Sequence, residues 1–209
     1  MIKKHLKLLI LTSVLTLLPI LVGILLWDQL PSKIPTHWNF NGEVDGWSNK
    51  AVAVFGLPLL MLAVQWIGAF VMLSDPKKQN HSNKMLQLSF WIVPVLGTVL
   101  ASITYATALG KEIAIEIIVP LFLGLLFVII GNYLPKCKQN YTVGIKIPWT
   151  LSNEENWNKT HRLAGWVFVI CGFAIMITGI LKLTWLMLIL ALIMVFVPMV
   201  YSFILYRKG

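Results

Sequence analysis

Residues Thr184–Tyr206 read TWLMLILALIMVFVPMVYSFILY, 23 residues without a single Asp, Glu, Lys, Arg or His. At 1.5 Å per residue a helix of that length reaches about 34 Å, enough to cross a hydrocarbon core of about 30 Å. Charge frames the run at both ends, with Lys182 before it and Arg207-Lys208 after it. The apolar residues are continuous rather than set at amphipathic spacing, so lipid suits them better as a solvent than water does.

Reading back along the chain, five more runs of this kind appear: Leu6–Trp27, Ala51–Leu73, Met85–Leu109, Ile113–Leu134 and Leu163–Leu181. The 209 residues are 58% hydrophobic and 12% charged, against about 45–50% and about 25% for a soluble domain. A protein this small has no interior that could hide so much apolar side chain. The fold expected is an all-α membrane protein with six transmembrane helices. The first run carries a basic lead, Lys3, Lys4 and Lys7, like a secretory signal. It is too long for one and no small-x-small cleavage site follows, so it is expected to remain as a first helix.

Charge sets the expected orientation. With the N-terminus inside, thirteen basic residues fall on the inner side: Lys3, Lys4, Lys7, Lys77, Lys78, Lys84, Lys136, Lys138, Lys146, Lys159, Arg162, Arg207 and Lys208. Only Lys33, Lys50, Lys111 and Lys182 fall outside. The excess of inner positive charge predicts that both termini lie in the cytoplasm. Trp27, Trp47 and Trp185 then lie near the outer interface and Tyr133, Trp166 and Tyr206 near the inner one, where amphipathic rings settle. The net charge of +9 sits in clusters between apolar runs, which points to head groups of the bilayer and not to direct contact with nucleic acid. Cys137 and Cys171 are too few for a disulfide framework and lie outside metal-ligand spacing.

Two connections are long and polar, residues 28–50 outside and 135–162 inside, and function is expected there while the other loops are taken as short. The outer loop contains Asn41-Gly42, a hairpin turn whose residues both accept positive φ, with Ile34–Phe40 as one arm. A small extracellular hairpin is therefore expected. The inner loop carries an extended piece, Tyr141–Pro148, and then a capping box in which Ser152 accepts from the Glu155 N–H and Glu155 reaches back. A helix is expected to start there in the cytoplasm and run into the fifth span. Lys33-Ile34-Pro35 with Asn41, Glu43, Trp47 and Lys50 has a counterpart in Lys146-Ile147-Pro148 with Asn153, Glu154, Trp157 and Lys159. Each loop follows the first helix of a three-helix half, residues 1–109 and 110–209. That is the arrangement of a three-plus-three inverted repeat, with chance likeness of two Trp-rich loops as the other account.

Chemistry is sparse. Neither a His-Glu-x-x-His helix nor a pair of intramembrane aspartates occurs, so no catalytic set, no metal and no cofactor is expected. His37 and Asp45 share the outer loop and are expected to meet in a structural hydrogen bond. No Asp, Glu, Lys, Arg or His lies in the central third of any span; Glu116, near the outer edge, is expected to snorkel or to pair with Lys111 or Lys182. Gln65, Thr98, Ser102 and Thr178 are the buried polar candidates, expected in helix–helix hydrogen bonds. Trp157 stands one turn before His161, which puts an indole and an imidazole on one helical face.

At the two loops a family likeness emerges. The outer segment Pro31-x-x-Ile34-Pro35-Thr36-His37-Trp38-x-x-x-Gly42-x-x-Asp45-Gly46-Trp47-x-x-Lys50 resembles one signature of the SdpI family. The inner run resembles the other, through Gly131-Asn132, Asn140-x-x-x-Gly144-x-x-x-Pro148-Trp149-Thr150-Leu151 and Trp157-x-x-Thr160-His161-Arg162. The chain departs from the pattern at Lys146-Ile147, where an Arg-Thr pair is usual: the positive charge survives and the guanidinium fork does not. The resemblance implies a membrane immunity protein that protects the cell against a secreted peptide toxin and signals by recruiting a cytoplasmic repressor. It implies toxin contact at Pro35, His37, Trp38, Asn39, Gly42, Asp45, Trp47 and Lys50. Partner contact would fall at Asn132, Asn140, Gly144, Lys146, Pro148, Trp149, Thr150, Trp157, Thr160, His161 and Arg162. A small inverted-repeat transporter or exporter is the competing reading, and an enzyme acting through His37/Asp45 or His161 the third.

Overall fold

The computed structural model describes residues 2–208, with side chains described from His5 to Lys208. Met1, Gly209 and the side chains of Lys3 and Lys4, two of the charges assigned to the inner side, lie outside the described residues. The elements follow in the order α1 Ile2–Leu25, β1 Lys33–Trp38, β2 Val44–Asn49, a π-helical turn Val52–Gly56 that runs into α2 Leu57–Leu73, a 3-10 turn Lys78–Asn80, and α3 Asn83–Ala108. Then come α4 Ile115–Tyr133, a 3-10 turn Leu134–Lys136, α5 Pro148–Ser152, α6 Glu154–Ile180 and α7 Leu186–Lys208. Among the described residues, six helical stretches of 21–27 residues are long and apolar enough to cross a membrane, in the places the apolar runs predict.

The helix expected to run from the inner loop into the fifth span is α6. Its cap is not Ser152. Asn153 has the extended backbone an N-cap needs (φ −138, ψ 118), and its side chain accepts from the Asn156 N–H. Ser152 is already helical in α5 and donates to the Trp149 carbonyl, while Glu155 pairs with Lys159 at 2.7 Å.

Large apolar side chains cover the outside of the helices, Leu25, Phe70, Ile180 and Val195 among them, while Thr12, Thr16 and Gln65 are buried. This reversal of the soluble pattern follows from lipid as solvent: contact with alkyl chains costs apolar groups nothing, and polar groups need partners.

The chain forms two compact units, Met1–Leu73 with Leu86–Ile115, and Ser74–Met85 with Glu116–Gly209. In the first, Gln65 of α2 is held by α1: its carbonyl accepts from the Thr16 hydroxyl at 2.7 Å and its amide donates to Thr12 Oγ1 at 2.7 Å. Leu30, Ile34, Ala53, Val54 and Tyr105 pack into one core, and Tyr105 donates to the Pro19 carbonyl at 3.0 Å. Thr98 and Ser102 do not join such contacts. Both are exposed on α3, and Ser102 donates back along its own helix to the Thr98 carbonyl.

In the second unit α4 and α6 run antiparallel on glycines spaced by seven, Gly124 and Gly131 against Gly172 and Gly165. A methyl group built on Gly124 would stand 2.5 Å from the Gly172 carbonyl oxygen, and one on Gly131 2.8 Å from that of Gly165. Small residues of this kind let membrane helices approach backbone to backbone. Asn156 joins α6 to α7, donating to the Ser202 carbonyl at 2.9 Å and accepting from the Ser202 hydroxyl at 2.6 Å. Glu116 pairs with Lys182 at 3.4 Å, one of its two expected partners, and Thr178 is buried but donates within α6, to Ile175.

Candidate functional site

Each unit carries one polar cap. In the first it is the hairpin. β1 and β2 pair antiparallel with Lys33 opposite Asn49, Pro35 opposite Trp47 and Trp38 opposite Val44, and an irregularity around His37. The turn depends on Asn39 more than on Asn41-Gly42. Asn39 Oδ1 accepts from the N–H groups of Asn41 and Glu43, its amide donates to the Glu43 carboxylate, and its own N–H donates to the Glu43 carbonyl. Gly42 takes φ +81, but Asn41 stays at negative φ, so the turn spans Asn39–Glu43 and β1 stops at Trp38, short of Phe40.

The hairpin has two faces. Ile34 is buried in the core with Ala53, Val54 and Tyr105, whereas His37, Asp45 and Trp47 are exposed, and Pro35, the cross-strand partner of Trp47, is buried. His37 Nδ1 lies 2.5 Å from Asp45 Oδ1 with 72% and 44% of the side chains exposed, an arrangement that fixes geometry while adding little stability in water. Gly46 stands opposite His37, where a Cβ would come within 2.8 Å of that of His37. Lys50 is occupied: its ammonium donates to the Trp27 carbonyl at 2.8 Å and sits over the Trp27 ring. Trp38 is half-buried, and together with Thr36 it forms part of the wall of a cavity of about 230 Å³ among α1, α2 and α3.

The second cap is a knot of side chains on residues 134–162 and 74–82. Asn140 is fully buried; it donates to the carbonyls of Lys138 and Val143 and accepts from the N–H groups of Thr142 and Val143. Gly144 takes φ +115, and a Cβ there would run into His161 Nε2. That nitrogen accepts the Ile145 N–H at 2.9 Å, so the imidazole proton sits on Nδ1 and is given to the Trp157 carbonyl at 2.8 Å. Trp157 stacks on His161 at 4.0 Å, as their one-turn spacing predicts, and donates to the Cys137 carbonyl at 2.7 Å. Thr150 Oγ1 closes the turn before α5 through the Ile147 N–H and the carbonyls of Ile145 and Ile147. Thr160 donates to Asn156 at 3.0 Å.

Asn140, Thr150, Trp157, Thr160 and His161 are thus buried braces, and Gly144 makes room for them. Asn132, Lys146, Pro148 and Arg162 are exposed. Trp149 lies between these groups, packed on Phe203 and Tyr206 of α7, and its buried indole N–H finds no partner among the described residues.

Sequence reading misses the middle of this cap. Asp75 has a fully buried side chain that accepts from Lys77 N at 2.7 Å, Tyr141 N at 2.9 Å and Thr142 Oγ1 at 2.9 Å, with His81 Nε2 at 3.3 Å. Burial works against its charge, but the Lys77 N–H, the Thr142 hydroxyl, the Tyr141 N–H and the nearby His81 together hold the carboxyl below its ordinary range. Lys77 donates to the Gln139 side chain, Asn80 to its carbonyl, and the Gln139 amide to the carbonyls of Thr150 and Leu151. The available signal was the unbroken polar run Ser74–Lys84, which is not a minimal loop. Burial pushes the Cys137 thiol up to about 11, so it is no nucleophile at neutral pH. No group of three or more metal-ligating side chains occurs among the described residues.

The hairpin and most of the second cap fall inside matched family regions, while residues 74–82 lie between them. Residues 14–62, which hold the hairpin, match the Domain of unknown function (DUF1648), and residues 136–202 match the SdpI/YfhL protein family. No solved structure matches the chain. Immunity protein SdpI of Bacillus subtilis (strain 168) is 30% identical over 203 residues, covering 95% of this chain and 96% of that protein. A likeness that runs through all six apolar helices and both caps makes this multi-pass membrane chain a member of the SdpI family.

Proposed function

We propose that the chain is an integral membrane immunity protein that protects its cell against a secreted peptide toxin, the hairpin making contact with the toxin outside. The observation that carries this reading is the similarity along 95% of the chain to a protein named for immunity. The exposed trio His37, Asp45 and Trp47 on a braced hairpin supports it, since a rigid aromatic beside a hydrogen-bonded polar pair suits a recognition surface. Asn39, Gly42 and Lys50 shape and anchor that surface, while Pro35 and Trp38 seat it on the helices.

The charge bias along the sequence supports both termini, and the cap of residues 134–162, in the cytoplasm. There the chain offers Asn132, Lys146, Pro148, Trp149 and Arg162 to a repressor protein, on a base built by Asn140, Gly144, Thr150, Trp157, Thr160 and His161. Residues 1–109 and 110–209 act as the outward-sensing and inward-signalling halves. Coupling between them requires the toxin to bind two conformations unequally. Expression of the chain in a toxin-sensitive strain is expected to rescue growth under added toxin, and His37→Ala or Trp47→Ala to weaken the rescue without lowering the amount of protein. Killing unchanged by well-expressed wild-type chain would overturn the proposal.

A further inference from the structure

The hairpin is a sheet of two strands, so each strand has a second edge whose main-chain groups find no partner within the sheet. One hydrogen bond fixes which groups those are. The Lys50 N–H donates to the Ser32 carbonyl at 2.9 Å, directly across the register that sets Lys33 opposite Asn49. Bonded and non-bonded pairs alternate along an antiparallel ladder. Ile34 and Ser48 are therefore the next bonded pair, and Lys33, Pro35, Trp47 and Asn49 turn their main-chain groups outward. We propose that the free edge of β2 at Trp47–Asn49 takes up an extended segment of the peptide toxin as a third strand. This rests on the immunity reading and adds to it the mode of recognition.

The two edges are unlike. On β1, Pro35 has no N–H to give, and Lys33 is a side chain of the kind that keeps strands from pairing. Ile34 and Pro35 of β1 are buried, whereas β2 has no buried residue, so β1 lies against the core and β2 is the outer strand. β2 reads VDGWSN, without proline or lysine. Its one charge, Asp45, turns to His37 of β1 at 2.5 Å. Trp47 and Asn49 are exposed, and neither N–H donates outside the sheet among the described residues.

Outward N–H and C=O groups at strand spacing have one complement, another extended main chain. Trp47 and Asn49 each offer one donor and one acceptor. The register breaks beside His37 and the chain turns helical at Lys50, which confines pairing to these residues and keeps the edge from propagating. The Trp47 ring, 57% exposed, is a platform for a branched or aromatic side chain of the added strand. Ile34 roots the sheet in the core and Lys50 ties its end to the Trp27 carbonyl, so the edge is already ordered before anything binds.

The test is hydrogen exchange on the full-length protein in phospholipid vesicles, with and without the purified toxin of the rescue assay, resolved by fragmentation mass spectrometry. The Trp47 and Asn49 N–H groups are expected to exchange freely in the protein alone and at least about tenfold more slowly with toxin, while Lys33 on the other edge is unchanged. In the rescue assay Asn49→Pro removes an outward N–H and leaves the bonds to β1 in place. It is expected to lower the toxin dose that halts growth about tenfold, and Lys33→Pro, the same change on the other edge, to leave the dose as in wild type. Edge amides that stay fast with toxin while the wild-type chain rescues would overturn the third strand and leave immunity standing. Slow Trp47 and Asn49 amides without toxin would mean that a second copy fills the edge, and would overturn it as well. So would equal rescue by Asn49→Pro and wild type, or equal loss in Asn49→Pro and Lys33→Pro. A wild-type chain that neither rescues nor gains protection would remove both readings. If Asn49→Pro fails to fold, the wild-type exchange decides.

Discussion

A carboxylate removed from water survives only among donors, and Asp75 has three, with His81 beside it. Asp75→Asn turns one of its oxygens into a donor facing the N–H groups of Lys77 or Tyr141. The expected cost is about 2 kcal/mol, read as a fall of about 5 °C in apparent melting temperature. The carboxyl of the unfolded chain titrates near its ordinary 3.8 and that of the folded chain lower. Asp75 therefore adds stability above pH 4, and the contribution disappears as acid carries the pH down through the folded value. Wild type should lose melting temperature over that acid window more steeply than Asp75→Asn, and parallel pH profiles would contradict the assignment. At this scale His37 and Asp45 were legible in the sequence because eight residues and a turn bring them together. Asp75 was not, because Tyr141 and Thr142 stand 66 and 67 residues away. The stacking of Trp157 on His161 was legible from helical spacing, but their complete burial was not, since the covering loop is irregular.

Among elements, α4 and α6 meet backbone to backbone. A side chain at Gly172 would meet the Gly124 carbonyl oxygen at 2.7 Å and Val128 at 2.9 Å, and backbone at that distance cannot yield. Gly172→Leu is expected to cost about 3 kcal/mol and to show as loss of monodisperse protein after detergent extraction. Gly68→Ala, where a Cβ meets nothing within 4 Å, is expected to be neutral or stabilising by about 0.5 kcal/mol. Equal tolerance of both changes would mean that the helices do not touch as described. The six helices were legible because lipid imposes a length and a composition on any segment that crosses it. The hairpin was legible from Asn41-Gly42, although Asn39 builds the turn. The π-turn Val52–Gly56 was not, since nothing in a run of Val, Ala and Phe separates one helical hydrogen-bond pattern from another. The seven-residue glycine spacing is visible in the sequence, but which helix answers it is a tertiary fact.

For the whole molecule the testable property is sidedness. Cys137 and Cys171 are buried and the Cys137 thiol is pushed up to about 11, so the wild-type chain should react little with maleimides. Trp47→Cys is then expected to label with an impermeant maleimide on intact cells, and Lys146→Cys only once the membrane has been opened. Labelling of both from one side would remove the proposed topology. Membership of the family was legible from the two caps because both consist of turn, aromatic and charged residues whose order is specific. The apolar helices between them are interchangeable with those of many membrane proteins. The Gln65 clamp bears on how such a chain is made. An amide that finds both its partners on the preceding helix fixes the register of the first two spans before the rest of the chain exists, because sliding by one turn would leave it bare in oil. The two spans can accordingly leave the insertion machinery as a finished helical hairpin, a seed onto which later helices assemble.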